Sequence, residues 1–229
     1  MKTCTVLFLL ICTFWASLAH ASSPCLKFSA DSNYHGLEHA SGVFVRLMGR
    51  ANICVEASHL PAKRSHNMLK SGEFDGVIGR ISHYQDDIGS EAVMVPTPVF
   101  SSWGILVSRK PLVNSLPDRN MRLGILRGWR WMTKTASDLK IQKLLEINKL
   151  ETLVEVYNRQ RVDGILLMEH LVRQFNLESE PVLYKAAQLN FHIWVHKRHQ
   201  KLVPSIDKII SRYLNDGGVF VVRDFEKSS

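Results

Sequence analysis

Short apolar runs alternate with amphipathic stretches along nearly the whole chain, and that alternation predicts an α/β fold. Residues 25–31 (CLKFSAD), 53–57 (ICVEA) and 74–81 (FDGVIGRI) read as three strands. Between the first two, Val43, Phe44, Leu47 and Met48 recur at helical spacing. After His59-Leu60-Pro61 comes a helix with Met68 and Leu69 on one face and Gly72 as its C-cap. Residues 93–98 (VMVPTP) are extended, because proline restricts both itself and its predecessor. A second series follows. Strands are predicted over 103–108 and 123–126, with a helix after Arg127-Gly128. Asn148 reads as the N-cap of a helix carrying Leu150, Leu153, Val154 and Tyr157. Residues 162–167 and 189–195 are again strand-like. Pro204-Ser205 opens a last helix, with Ile206, Ile209, Ile210, Tyr213 and Leu214 on one stripe and Gly217-Gly218 at its end.

The two series share a signature. Asp75-Gly76-Val77 and Asp163-Gly164-Ile165 each follow an amphipathic stretch and a polar turn, and each enters an apolar run. They lie too far apart for a solenoid, whose period is roughly 20–50 residues. The spacing suits two α/β lobes, each a mostly parallel sheet flanked by helices. Residues 22–98 and 192–229 form lobe one and residues 99–191 form lobe two. Crossings near 97–103 and 188–194 make a hinge, and a cleft lies between the lobes.

The first residues bear on compartment. Lys2 precedes an apolar run from Val6 to Leu18, and Ala19-His20-Ala21 offers small residues at the −3 and −1 positions of a cleavage site. The run falls short of the ~18 apolar residues of a membrane span. Residues 1–21 therefore read as a signal peptide ahead of a soluble, exported protein. Of four cysteines, Cys25 and Cys54 would remain, each at the start of a strand-like run. An oxidising compartment and an even count predict a disulfide between them.

Net charge is +8, but the basic residues are dispersed. A nucleic-acid binder calls for a clustered basic face or a known module, and neither is present. A solvated basic surface, or attraction to an anionic ligand or membrane surface, fits better. His192, His196 and His199 lie close in sequence, as do His35 and His39. Their spacing matches no tight metal site, and no cofactor is expected. No Gly-x-Ser-x-Gly or His-Glu-x-x-His series supports a hydrolase.

An ordered set of segments resembles the type II periplasmic solute-binding proteins of the extracellular family 3 kind. The carriers are Pro61-Ala62-Lys63-Arg64, Met68 to Gly76, Val95-Pro96-Thr97-Pro98-Val99-Phe100, Leu123 to Gly128, Arg161-Val162-Asp163-Gly164 and the C-terminal helix ending Leu214-Asn215-Asp216-Gly217-Gly218. The resemblance implies a periplasmic, monomeric protein that closes on a small-molecule solute. Its partner would be an inner-membrane permease or a sensor. Amino-acid-binding members carry an Arg about twelve residues after the first-lobe Asp and an Asp at the end of the second-lobe strand. Those positions fall here on Asp87 and Met168. A common α-amino acid is therefore not the expected ligand; an anionic or aromatic molecule is.

Several residues are candidates for the cleft. Arg80 ends the first echo strand, where open α/β sheets bind ligands, and Arg suits a carboxylate or phosphate. Ser82 falls where the family places a hydroxyl donor. Tyr34, Phe100 and Trp103 are aromatics in loops or crossings, able to wall a pocket. Arg127 begins a strand-to-helix turn that can hold an anion. Glu169 could accept a ligand cation. Two alternatives accompany the solute-binding reading. One is an enzyme similar to cyclohexadienyl dehydratase with Glu169 as acid or base; the other is an exported interaction module without a ligand.

Overall fold

Parallel pairing builds the first half of the molecule. The computed structural model describes residues 24–221 except 33, 35, 178 and 179. In it β1 (Leu26–Asp31) lies between β2 (Val55–Leu60) and β3 (Gly76–Ile81), parallel to both. Helix α1 (Gly36–Arg50) buries Leu37, Ala40, Val43, Phe44, Leu47 and Met48, the face set by their 3.6-residue period. Helix α2 (Ala62–Lys70) buries Ser65 and Leu69, and its chain turns back at Gly72, φ +76°. A short helix α3 (Gln85–Ile88) and strand β4 (Ala92–Met94) complete this half.

The second half repeats the plan. Strand β6 (Arg122–Leu126) lies between β7 (Lys143–Ile147) and β8 (Gly164–Met168), again parallel to both. Helices α4 (Arg130–Asp138), α5 (Leu150–Asn158) and α6 (Glu169–Gln174) connect or follow these strands. All five residues of β8 are buried, as a strand covered on both faces requires.

Two long strands join the halves. β5 (Phe100–Ser108) pairs antiparallel with β8, and β9 (Val182–His196) pairs antiparallel with β5, β3 and β4. The result is one sheet in the order β2-β1-β3-β9-β5-β8-β6-β7, with β4 beside β9. Both crossings are thus strands of a shared ribbon. Helix α7 (Val203–Asn215) follows β9 and returns to α1 in the first half. Thr97 ties to it twice: its N–H donates to Asp207 Oδ1 at 2.7 Å, and its hydroxyl meets that of Ser211 at 2.7 Å.

Cys25 and Cys54 form a disulfide, with their Cα atoms 4.6 Å apart, just ahead of β1 and β2. The expected signal peptide, with the 1–21 boundary, lies outside the described residues. Some elements depart from their sequence pattern. β2 starts at Val55 and runs on to Leu60, so His59 and Leu60 are strand residues. Lys149 rather than Asn148 is the N-cap of α5. The pattern missed β7, because Lys143 to Glu146 are exposed and lack alternation. It also missed α6 and the first seven residues of β9.

Candidate functional site

The C-terminal ends of the parallel strands in both halves open on a cleft of about 740 Å³. Asp31, the last residue of β1, and Tyr34 just after it line one side. Arg80 lies beside them near the end of β3. It gets there through an irregularity: the β3–β9 register shifts between Ile78 and Arg80, and Gly79 between them has φ +79°. A Cβ at Gly79 would run into the Leu37 side chain, so only glycine allows this turn.

Arg80 is held but not saturated. Its Nη2 donates to the Ala62 carbonyl at 3.1 Å, and its Cζ stands 5.5 Å from the centroid of the Tyr84 ring. The nearest carboxylate oxygen, Asp31 Oδ2, is 3.9 Å from Nη1, beyond hydrogen-bond reach. Its Nε is buried with no hydrogen-bond partner among the described residues. A planar guanidinium in a cleft lining, with no hydrogen bond at Nη1 among the described residues, suits a carboxylate or phosphate.

Across the cleft, β6 passes through Gly128 and Trp129 into α4. Two polar contacts join the sides. Arg130, the first residue of α4, forms an ion pair with Asp87 of α3. The Tyr34 hydroxyl meets His170 Nε2 at 3.0 Å. Tyr34 is the hub of the aromatic wall. Its ring lies 6.4 Å edge-on from Trp129, 6.2 Å from Phe100 and 5.6 Å from His170. Phe191, which lines the floor, stacks on Phe100 with centroids 4.2 Å apart.

Burial dominates the titration of this region. It pushes the Tyr34 phenol well above its usual range, and that of Tyr84 up to about 12, where nearby Arg80 opposes the shift. Burial lowers His66, helped by Arg130 and opposed by Asp87. His170 is lowered by burial against the pull of Glu169. Both imidazoles are therefore neutral at pH 7.

Of the residues singled out from sequence, Arg80 and Tyr34 line the cleft. Phe100 backs Phe191 from behind. Trp103, on β5, carries Lys185 Nζ over its ring at 5.0 Å and is not part of the lining. Ser82 is exposed outside the lining, and Glu169, half-buried at the start of α6, is outside it as well. Arg127 is exposed and donates to Glu146 at 3.1 Å. The sequence reading did not pick out Asp31, His66 or Tyr84, and it placed Arg130 only in the anion-holding turn that starts at Arg127. Asp31 carried the same signal as Arg80, a charge ending an apolar strand. The histidines of β9 have structural partners: His192 Nδ1 lies 3.0 Å from the Val95 carbonyl, and His196 accepts from the Arg198 N–H. Among the described residues no three His, Cys, Asp or Glu side chains converge on a metal position.

No family model and no curated protein sequence matches the chain. Solved structures do. The ligand-binding core of GluR0 in complex with L-glutamate aligns with TM-score 0.68 at 16% identity, covering 85% of this chain and 94% of that one. A histidine kinase sensor domain with similarity to periplasmic binding proteins aligns with TM-score 0.66 at 16% identity, covering 84% and 91%. An arginine transport-system periplasmic binding protein from Legionella pneumophila aligns with TM-score 0.63 at 14% identity, covering 85% and 96%. The chain therefore has the two-lobed fold of type II periplasmic binding proteins, mixed α/β with helices around a curled sheet.

Proposed function

We propose that this protein is an exported solute-binding protein whose lobes, residues 22–98 with 192–229 and residues 99–191, close on a small molecule. The molecule carries a carboxylate or phosphate and a flat apolar body. One observation carries the reading: Arg80 lines the cleft, and among the described residues its Nη1 has no carboxylate closer than Asp31 Oδ2 at 3.9 Å. Tyr34, Trp129 and Phe191 supply apolar faces beside it. A common α-amino acid fits poorly. Asp87 is already engaged by Arg130, and buried Met168 offers no carboxylate to a ligand ammonium. Lys2, the apolar run after it and Ala19-His20-Ala21 support export. Delivery to an inner-membrane permease or to a sensor is the role this places on the closed form.

The test is a thermal-shift screen of anionic aromatic and aliphatic metabolites beside the common amino acids, followed by calorimetry. A ligand at one hundred times its Kd stabilises by ~2.7 kcal/mol. Arg80→Ala should weaken the anionic hit by about ten-fold or more, the value of a charge-assisted pair of ~1.5–3 kcal/mol. Tight binding of glutamine, histidine or arginine would overturn the ligand class. Undiminished binding by Arg80→Ala would overturn the assignment of the anchor.

A further inference from the structure

We propose that the end of lobe two remote from the cleft docks on an anionic lipid bilayer. The proposal is independent of what the cleft binds. The chain leaves β5 into a tight two-residue turn, closed by Val113 N–H to Leu116 O at 2.7 Å and the reverse bond at 3.0 Å. Asn114 and Ser115 at its tip both have left-handed backbone, φ 50° and 64°. The turn projects its two flanking aliphatic side chains outward: Val113 is 59% and Leu116 48% exposed. Leu183, 54% exposed, pairs with Val107 in the strand that leads to this turn.

Cations gather at the same end. Lys110, Arg122, Lys143 and Arg161 surround a polar recess together with Asp163. Lys110 is spent on two carboxylates, Asp118 and Asp163, each at 3.3 Å. The side chains of Arg122, Lys143 and Arg161 form no ion pair among the described residues; the Arg122 guanidinium donates to the Arg161 carbonyl, at 3.1 Å. Against Asp118 and Asp163, four cations leave a positive surplus at this end.

Geometry selects the occupant. Arg122 begins β6, whose other end leads to the cleft residues Gly128 and Trp129, so this surface lies at the far end of the lobe from the cleft. Docking here leaves the cleft unobstructed. A pair of aliphatic side chains on a convex turn makes no groove for a protein partner. It does suit shallow insertion at the headgroup boundary, while neighbouring cations reach lipid phosphates within a Debye length.

Cosedimentation with phosphatidylcholine vesicles, with and without phosphatidylglycerol, tests this. The chain is used whole and also starting at Ser22, which removes the apolar N-terminal run and no described residue. Both forms should pellet only with the anionic vesicles, and less as salt rises. Val113→Asp with Leu116→Asp, and separately Lys143→Glu with Arg161→Glu, should each cut the bound fraction by about ten-fold, with unchanged melting curves. Equal binding to neutral vesicles overturns the proposal. So does wild-type binding by either double variant, or a chain from Ser22 that stays in the supernatant, the outcome expected if this surface serves a protein partner.

Discussion

Asp75 and Asp163 make the same three hydrogen bonds in opposite halves of the molecule. Each donates its N–H to the carbonyl of a residue in the adjacent parallel strand: Lys27 at 2.7 Å and Arg122 at 2.8 Å. Each accepts that residue's N–H on Oδ2, at 2.8 and 2.7 Å. The carbonyl of each accepts from an antiparallel segment, from His196 at 2.7 Å and Arg109 at 2.9 Å. A carboxylate thus closes the start of β1 and of β6 in one way. The two differ in their further partners. Asp75 Oδ1 takes Arg198 Nη2 and His199 Nε2, both at 2.6 Å, while Lys110 Nζ approaches Asp163 at the same Oδ2, at 3.3 Å.

Unequal costs follow from that difference. Asp75 is nearly buried and bonded to charge, so Asp75→Asn should cost about 2 kcal/mol in urea unfolding. Asp163 is more exposed, and Asp163→Asn should cost no more than about 1 kcal/mol. Burial raises the Asp75 carboxyl, but the Lys27 N–H, Arg198 and His199 outweigh it and hold it below its ordinary range. A depressed carboxylate stabilises above its unfolded pKa and loses that contribution as pH falls through the folded one. Asp75→Asn should therefore flatten the acid limb of stability against pH, below the ordinary carboxylate range. An unchanged acid limb would show that Asp75 is not the group titrating there.

Histidines set a second pH dependence. His66, His170, His192 and His196 are all lowered, each first by burial. The unfolded chain then binds more protons than the folded one just below the ordinary histidine pKa, ~6.5. Stability should be fully present above that value and decline as pH falls below it. Calorimetric melts from about pH 7.5 to 5.5 should show a falling Tm. His192→Asn, which keeps an amide donor for the Val95 carbonyl, should reduce the slope.

The pairs Asp87–Arg130 and Tyr34–His170 bridge the two sides of the cleft. Arg130 is two-thirds exposed, so its ion pair should add less than about 1 kcal/mol to folding. Its effect should appear in shape instead. Asp87→Lys puts two cations face to face, and small-angle scattering should then report a larger radius of gyration. Adding Arg130→Asp should restore compactness. Identical scattering from all three proteins would show that the pair does not hold the sides together.

Gly79→Ala should be among the most damaging single-methyl additions in the chain. The backbone there is left-handed, and the new Cβ would fall on Leu37 in the core. A loss of about 2 kcal/mol or more is expected in denaturant unfolding. Gly128, also left-handed but with open space around it, should tolerate alanine better, which separates the steric part from the backbone part.

Much of this architecture could be read along the chain because it is written locally. The repeated Asp-Gly step marks entry into β3 and β8, and the apolar stripe of α1 predicts its buried face. Arg80 stood out as a charge ending a strand that needs none. β7 escaped notice since an edge strand exposed on both faces has no reason to alternate. The partners of Asp87 and Tyr34 escaped for another reason. Arg130 and His170 are remote in sequence, and only the way the two halves meet brings them together.

β9 is the last strand of the sheet to be synthesised, yet it sits at the centre of the strand order, between β3 and β5. Neither half can finish pairing until His196 has been made. A ribosome-bound or truncated chain ending before Val182 would leave β3 and β5 with open edges, and with them much of the buried apolar surface. Such long-range closure is slow. The two halves should therefore fold as one cooperative unit at the end of synthesis and not one after the other, giving the newborn chain a prolonged unfolded interval.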